Sequence, residues 1–206
     1  MNNLKEILHE KYGKPSKQVS PIRIYNFTRN NLIKLFAEFK FIKGAEIGVK
    51  KGDFSDFMFQ NIPELELICV DPWGRVRDDT RTKIVGNEDA EIYYQEVKKR
   101  FFSYNCNIIR DVSLEAVRNV EWESLDFVHI DGSHEFDHVM VDIIEWSRRV
   151  KFGGIVSGHD YYRFARAGVV QAVDLYTHMH GISEWFITDE PAPTWFWVKP
   201  PYRFAK

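Results

Sequence analysis

The segment 43–55, together with the apolar run that follows it, constrains the fold more than any other part of this chain. An apolar strand pattern leads directly into Gly48 and Gly52, and a helical pattern starts immediately afterwards. The next apolar run, 65–70, ends in the carboxylate of Asp71. In open α/β sheets, glycines at such a turn allow close approach to the backbone, and an acid after the next strand accepts hydrogen bonds from ribose hydroxyls. The pattern therefore predicts a sheet that binds a nucleoside-bearing cofactor.

Strand and helix patterns alternate along the rest of the chain, which is typical of a parallel sheet with helices on both faces. The last two strand patterns differ, because only the short connection 189–193 lies between them. A connection that short joins antiparallel neighbours. The sequence thus predicts a Rossmann-like α/β fold with a seven-stranded, mostly parallel sheet and an antiparallel last strand. The predicted strands cover 45–49, 65–70, 107–110, 125–130, 155–157, 184–188 and 194–199.

Composition excludes several classes of protein. With 206 residues, 44% of them hydrophobic, the chain is long enough for one domain with a real core. A net charge of −2 gives no electrostatic footprint for nucleic acid or an anionic membrane, and no apolar run approaches the roughly 20 residues that span a bilayer. Cys69 and Cys106 lie in apolar runs, which favours buried thiols in a reducing compartment. Because the N-terminus lacks the apolar core of a signal peptide, we expect a cytoplasmic enzyme or binding protein.

One set of motifs resembles those of class I S-adenosylmethionine (SAM) methyltransferases. It consists of Glu46-x-Gly48-x-x-x-Gly52-x-x-Ser55, Asp71 and the turn Arg110-Asp111-Val112-Ser113. The resemblance implies the class I methyltransferase fold, with residues 42–206 as the SAM-binding domain and residues 1–41 as a helical N-terminal extension.

A second set resembles a narrower group, the small-molecule O-methyltransferases that include macrolide-sugar and related glycoside enzymes. It runs from Asp126 to His134, continues with Asp142 and Trp146 on one helical pattern, and ends in Gly158-His159-Asp160-Tyr161. The implied activity is methylation of a hydroxyl on a small molecule such as a sugar.

The resemblance also implies which residues hold SAM: Glu46 at the methionine amino group, Gly48, Gly52 and Ser55 in the turn, Asp71 at the ribose, Asp111 with Val112 at the adenine, and Asp131. Plainer interpretations stay open beside these. The glycines can serve only the turn, Asp71 can cap its strand, and Asp111 can cap a helix. Val49 replaces a glycine of the dinucleotide fingerprint. Because SAM has no pyrophosphate to bind, this departure favours SAM over NAD.

Residues that can carry chemistry follow the strands 125–130 and 155–157. The carboxyl ends of these strands are expected to bring Asp131, His134, His159 and Asp160 into one crevice. Two carboxylates fit a hard cation such as Mg²⁺ better than zinc. The resemblance implies that Asp131 and Asp160 bind this cation, with His159 as a further candidate ligand. It also implies that His134 is the base and that Asp131 takes part in catalysis.

We therefore predict a SAM-dependent O-methyltransferase in which a cation lowers the pKa of an acceptor hydroxyl and a histidine accepts its proton. A metal-independent enzyme and a SAM-binding protein without catalytic activity are the alternatives. We expect acceptor specificity to depend on residues 1–41, on a long polar loop over 75–91 and on residues 161–168. The aromatic segments 185–186 and 195–197 are interpreted as sheet packing or a homodimer face.

Overall fold

A computed structural model describes residues 4–13, 19–74 and 89–201. The helices are α1 (Leu4–Tyr12), α2 (Arg29–Glu38), α3 (Asp53–Asn61), α4 (Asp89–Arg100), α5 (Ser113–Ala116), α6 (Phe136–Arg149) and α7 (Val169–Met179), with a 3₁₀ turn at Val117–Asn119. The strands are β1 (Ile22–Arg23), β2 (Lys43–Ile47), β3 (Glu66–Val70), β4 (Cys106–Ile109), β5 (Leu125–Ile130), β6 (Val150–Gly158), β7 (Phe186–Ile187) and β8 (Trp195–Val198).

The described strands form one sheet in the order β1-β7-β8-β6-β5-β2-β3-β4. All neighbouring pairs are parallel except those of β8, which runs antiparallel to both β6 and β7. The predicted Rossmann-like fold, with a mostly parallel sheet and an antiparallel last strand, is therefore confirmed. The predicted count of seven strands was wrong, because the described residues form a sheet of eight. The additional strand, β1, pairs with β7 over only two residues, which is too short to give a periodic pattern.

Helices cover both faces of the sheet, and each face has its own apolar core. Buried side chains of α1 to α4 pack in one core with Phe127 of β5 and Phe196 of β8. Buried side chains of α5 to α7 pack in the other with Val128 and Trp195. Residues 127 and 128 belong to different cores because successive side chains of a strand point to opposite faces.

The N-terminal segment contributes directly to the first of these cores. Leu8 of α1 and Phe36 of α2 are fully buried there, and the ring of Phe36 lies 4.5 Å from that of Phe127. The boundary at residue 41 stays a prediction, although it cuts across this packing.

Two further expectations concern particular segments. Cys69 on β3 and Cys106 on β4 are free thiols whose sulfur atoms lie 3.4 Å apart, with Cys69 fully buried. Most of the predicted loop over 75–91 lies outside the described residues, and its last three residues belong to α4. Within the described ranges, no helix is both long and apolar enough to cross a membrane.

Candidate active site

The sheet order places the predicted site residues along one edge. Strand β2 lies between β3 and β5, so the chain leaves it toward one side first and returns to the other side later. Open α/β sheets bind ligands at this kind of switch point, outside the carboxyl ends of the strands. The residues that follow β2, β3, β4, β5 and β6 all reach this edge, which is where the sequence motifs fall.

Both glycines of the turn after β2 have a structural reason to be glycine. Gly48 has a φ of +92°, and a Cβ there would lie 2.0 Å from the carbonyl oxygen of Asp131. Gly52 has a φ of +79° at the start of α3, and a Cβ there would meet the ring of Phe101 at 2.8 Å. The turn geometry therefore accounts for both residues, and their contact with a cofactor stays a prediction.

Glu46 lies buried in β2 at the same edge. Its side chain is 2% exposed, and the hydroxyl of the fully buried Ser55 donates a hydrogen bond to it. Burial raises the pKa of Glu46 to about 8, while the hydrogen bond from Ser55 and the charge of Arg29 act in the opposite direction. The hydrogen bond from Ser55 thus stabilises the ionised form of the Glu46 carboxyl group. A bound ammonium group would favour the ionised form that burial disfavours.

Asp71, which follows β3, closes the glycine turn. Its two carboxylate oxygens accept hydrogen bonds of 2.8 Å from the backbone N–H groups of Lys50 and Trp73. Burial raises the pKa of Asp71, and these backbone hydrogen bonds lower it. The indole of Trp73 is 3% exposed and packs against Tyr94, with ring centroids 5.2 Å apart. The contacts show Asp71 capping the turn, so its contact with a ribose stays a prediction.

Asp111 and Val112 follow β4, the strand next to β3. Asp111 is exposed, and its carboxylate accepts the N–H of Val112 at 2.8 Å. Val112 is the residue that precedes α5. The pair therefore lies one strand beyond Asp71, and its contact with an adenine stays a prediction.

The residues that follow β5 and β6 meet as predicted from the strand ends. Nε2 of His134 lies 2.6 Å from Oδ2 of Asp160, and the other oxygen of Asp160 lies 3.1 Å from Nδ1 of His159. Asp131 is close to the same group, since its Oδ1 lies 3.9 Å from that His159 nitrogen. This cluster of Asp131, His134, His159 and Asp160, called the acid–histidine cluster below, contains all four predicted residues.

Charges within the acid–histidine cluster shift its proton equilibria. The hydrogen bonds from His134 and His159 hold the pKa of Asp160 well below its usual range. The Asp160 carboxylate in turn raises the pKa of His134, and burial raises the pKa of Asp131. Asp160 is thus ionised at neutral pH, and its hydrogen bond orients the half-exposed His134 ring.

Three members of this cluster form a candidate donor set for a metal ion. Asp131, His134 and Asp160 each offer one ligand atom, and these atoms lie within 4.8 Å of one another. Two carboxylate oxygens and one imidazole nitrogen suit a hard divalent cation such as Mg²⁺ or Mn²⁺. The histidine in this set is His134. The sequence interpretation named His159 as the further candidate ligand, and His159 lies near the same two carboxylates.

Arg29 is a site residue that the sequence interpretation missed. It is the first residue of α2, and its guanidinium group lies 4.9 Å from the ring centroid of Phe54 and 3.9 Å from Oδ2 of Asp131. Nothing in the local sequence signals this position, because the contacts depend on how α2 packs across the sheet.

An aromatic pair lies beside His134. The ring of Phe164 meets the imidazole edge-on at a centroid distance of 5.3 Å, and Tyr162 stacks on Phe164 at 4.5 Å. The N–H of Gly168 donates to the His134 carbonyl oxygen at 2.8 Å, which fixes this segment against the cluster. Tyr162, Phe164 and Gly168 thus lie beside the candidate base.

Fold and site together define a Rossmann-like α/β protein with an acidic, histidine-containing crevice next to a glycine turn. A family model described as a methyltransferase domain matches residues 45–161, more than half of the chain. The chain belongs to this methyltransferase-domain family.

Solved structures share this fold at low identity. The O-methyltransferase from Bacillus cereus in complex with SAH is 12% identical, has a TM-score of 0.60, and is matched over 97% of this chain and 92% of that chain. An rRNA methylase from Streptococcus thermophilus is also 12% identical, with a TM-score of 0.59 over 83% of this chain and 96% of that chain. Their names differ in the acceptor, so the shared fold does not identify it.

One curated relative has a more similar sequence over a shorter stretch. An uncharacterised protein of Sinorhizobium fredii (strain NBRC 101917 / NGR234) is 28% identical over 81 residues, covering 36% of this chain. The chain spans 9% of the length of that relative.

Proposed function

We propose that this chain is a SAM-dependent O-methyltransferase that acts on a hydroxyl group of a small molecule, with His134 as the base. The observation that carries the proposal is the 2.6 Å contact between His134 and Asp160, at the strand end next to the glycine turn. A base held by a carboxylate and partly exposed to solvent is what deprotonation of an acceptor requires.

The cofactor is assigned to residues around that turn. We assign the methionine amino group to Glu46, the ribose to Asp71 and the adenine to Asp111. When bound, SAM supplies a methyl group already activated on a sulfonium, so the protein chiefly aligns the reactants and excludes water.

His134 performs the proton transfer. With Nε2–H donating to Asp160, the lone pair of Nδ1 is left to accept the acceptor's hydroxyl proton. Asp160 would stabilise the imidazolium that forms, since its carboxylate raises the pKa of His134. The deprotonated acceptor oxygen would then be the nucleophile for the activated methyl group that bound SAM would supply, with S-adenosylhomocysteine as the leaving group.

A divalent cation is the second part of the proposal. Asp131 and Asp160 would hold it, with a histidine nearby, and it would lower the pKa of a coordinated hydroxyl. A metal-independent enzyme is the second candidate function, because the 2.6 Å contact already orients His134 through protein atoms alone.

For the acceptor, we propose a sugar or glycoside. The resemblance of residues 126–134 and 158–161 to glycoside methyltransferases supports this class. The stacked Tyr162 and Phe164 offer an apolar wall beside the base, and the net charge of −2 disfavours a nucleic-acid acceptor.

Methyl transfer from isotopically labelled SAM to a panel of glycosides tests the proposal. We expect His134→Ala to lose at least about a hundredfold in rate, in the range general-base catalysis contributes, and His138→Ala to retain activity. Full activity of His134→Ala would exclude this base. Full activity in EDTA would remove the cation and leave the metal-independent enzyme, while SAM binding without transfer to any acceptor would favour a non-catalytic protein.

A further inference from the structure

The proposed cofactor contacts leave one charged group of SAM without a partner. Glu46, Asp71 and Asp111 account for the amino group, the ribose and the adenine, but not for the methionine carboxylate. That carboxylate would enter an edge of the sheet already lined by the acids Glu46 and Asp131. An anion placed there needs a cation or several N–H donors, because unpaired charge in a partly buried site is costly.

Arg29 presents such donors at this edge. Its guanidinium group lies over the ring of Phe54, and Phe54 directly precedes Ser55, which hydrogen-bonds to Glu46. Among the described residues, the guanidinium donates no hydrogen bond, since the nearest carboxylate oxygen, from Asp131, is 3.9 Å away. The side chain is 36% exposed, so its donors remain accessible to a ligand.

Hydrogen bonds to the backbone of Arg29 and of the residue before it hold the start of α2 in place. Its own N–H donates to the carboxylate of Glu190, in the connection between β7 and β8, at 3.0 Å. The preceding residue, Thr28, forms a capping box with Asn31, whose side chain accepts the N–H of Thr28 at 2.9 Å. The start of α2 is therefore fixed relative to the sheet, and only the side chain is left to adjust to a ligand.

An α-amino acid carries its ammonium and carboxylate groups on one carbon, so it requires an acid and a base close together. Glu46 and Arg29 offer such an acid and base at α3, where Arg29 lies over Phe54 and Glu46 is hydrogen-bonded to Ser55, and the charge of Arg29 acts on the Glu46 carboxyl group. We propose that Arg29 binds the methionine carboxylate of SAM, so that α2, in the N-terminal segment, completes the cofactor site. This inference rests on the proposed function.

Decarboxylated SAM isolates this contact, because it keeps the ammonium and sulfonium groups and lacks only the carboxylate. We would measure the affinity of wild type, Arg29→Met, Arg29→Lys and Lys34→Met for both compounds by calorimetry. Lys34 is an exposed cation on the same helix and serves as the matched control. We expect wild type and Lys34→Met to bind SAM about tenfold or more tightly than decarboxylated SAM, the range of a charge-assisted hydrogen bond. Arg29→Met should lose this preference, and Arg29→Lys should recover part of it.

The change in preference, rather than in affinity alone, decides the inference. If Arg29→Met weakens both compounds equally, Arg29 only neutralises the acids or supports the fold, and the inference is wrong. If Arg29→Met keeps both affinities of the wild type, the inference is wrong as well. If wild type binds neither compound, the proposed function itself fails.

Discussion

Burial of the Glu46 carboxyl group lowers the stability of the free protein near neutral pH, although the same group is proposed to bind the cofactor. Its pKa rises to about 8 because burial disfavours the ionised form. When the pKa of a carboxyl group is higher in the folded than in the unfolded state, the folded protein loses stability as the pH rises between the two pKa values. Here that window extends from the ordinary value of 4.5 to about 8. The folded protein thus bears a cost near neutral pH that a bound ammonium group would offset.

Glu46→Gln should therefore stabilise the free protein and weaken cofactor binding. We expect the gain in unfolding free energy to grow from pH 5 to pH 8 and to reach on the order of 3 kcal/mol. Denaturant unfolding at several pH values measures it, with the exposed Glu64→Gln as control. A constant difference across this pH range would contradict the assigned protonation of Glu46.

His134 and Asp160 give a second prediction at this scale. The carboxylate raises the pKa of the imidazole, so Asp160→Asn should lower the pKa of His134. NMR titration of the imidazole resonances measures this directly and needs no acceptor, with His138 as the internal reference. An unchanged His134 titration in Asp160→Asn would show that the 2.6 Å contact does not persist in solution.

At the scale of elements, patterns within a segment and the meeting of parallel strand ends were predictable, whereas contacts that depend on how distant segments pack were not. The strand ends that carry Asp131 and Asp160 follow from apolar runs and the rule that parallel strands end together. Strand β1 has two residues, and its pairing with β7 depends on distant parts of the chain. Arg29 reaches the site for the same reason, through the packing of α2.

Substitution of Gly48, in the turn after β2, tests whether the fold needs a glycine there. Gly48→Ala should cost about 3 kcal/mol or more, because it adds a clash with the Asp131 carbonyl to the strain of a positive φ. Gly13 has a similar φ of +83°, and a Cβ there would have no described atom within 4 Å. Gly13→Ala should therefore cost only about 1 kcal/mol. Equal losses in thermal unfolding would exclude the clash as the cause.

For the whole molecule, the two cores make the N-terminal segment part of the folded unit. Phe27 and Phe36 are fully buried in the core that also contains Phe127 and Phe196. Without residues 1–41, that face of the sheet would lose the large apolar side chains of α1 and α2, each contributing about 1.5–3 kcal/mol, and would keep, from its helices, only those of α3 and α4.

A variant that starts at residue 42 should therefore lose cooperative thermal unfolding and its near-UV circular dichroism. A variant that starts at residue 14 lacks only α1 and should fold with reduced stability. Cooperative unfolding of the shorter variant would instead support a separate domain over 42–206.

The central claim is that this edge of the sheet binds SAM. Calorimetric titration of the purified wild-type protein with SAM and, separately, with NAD tests it most directly, with Glu46→Gln as the site control. The account predicts saturable binding of SAM that Glu46→Gln weakens, and no binding of NAD. Tight binding of NAD without binding of SAM would contradict it.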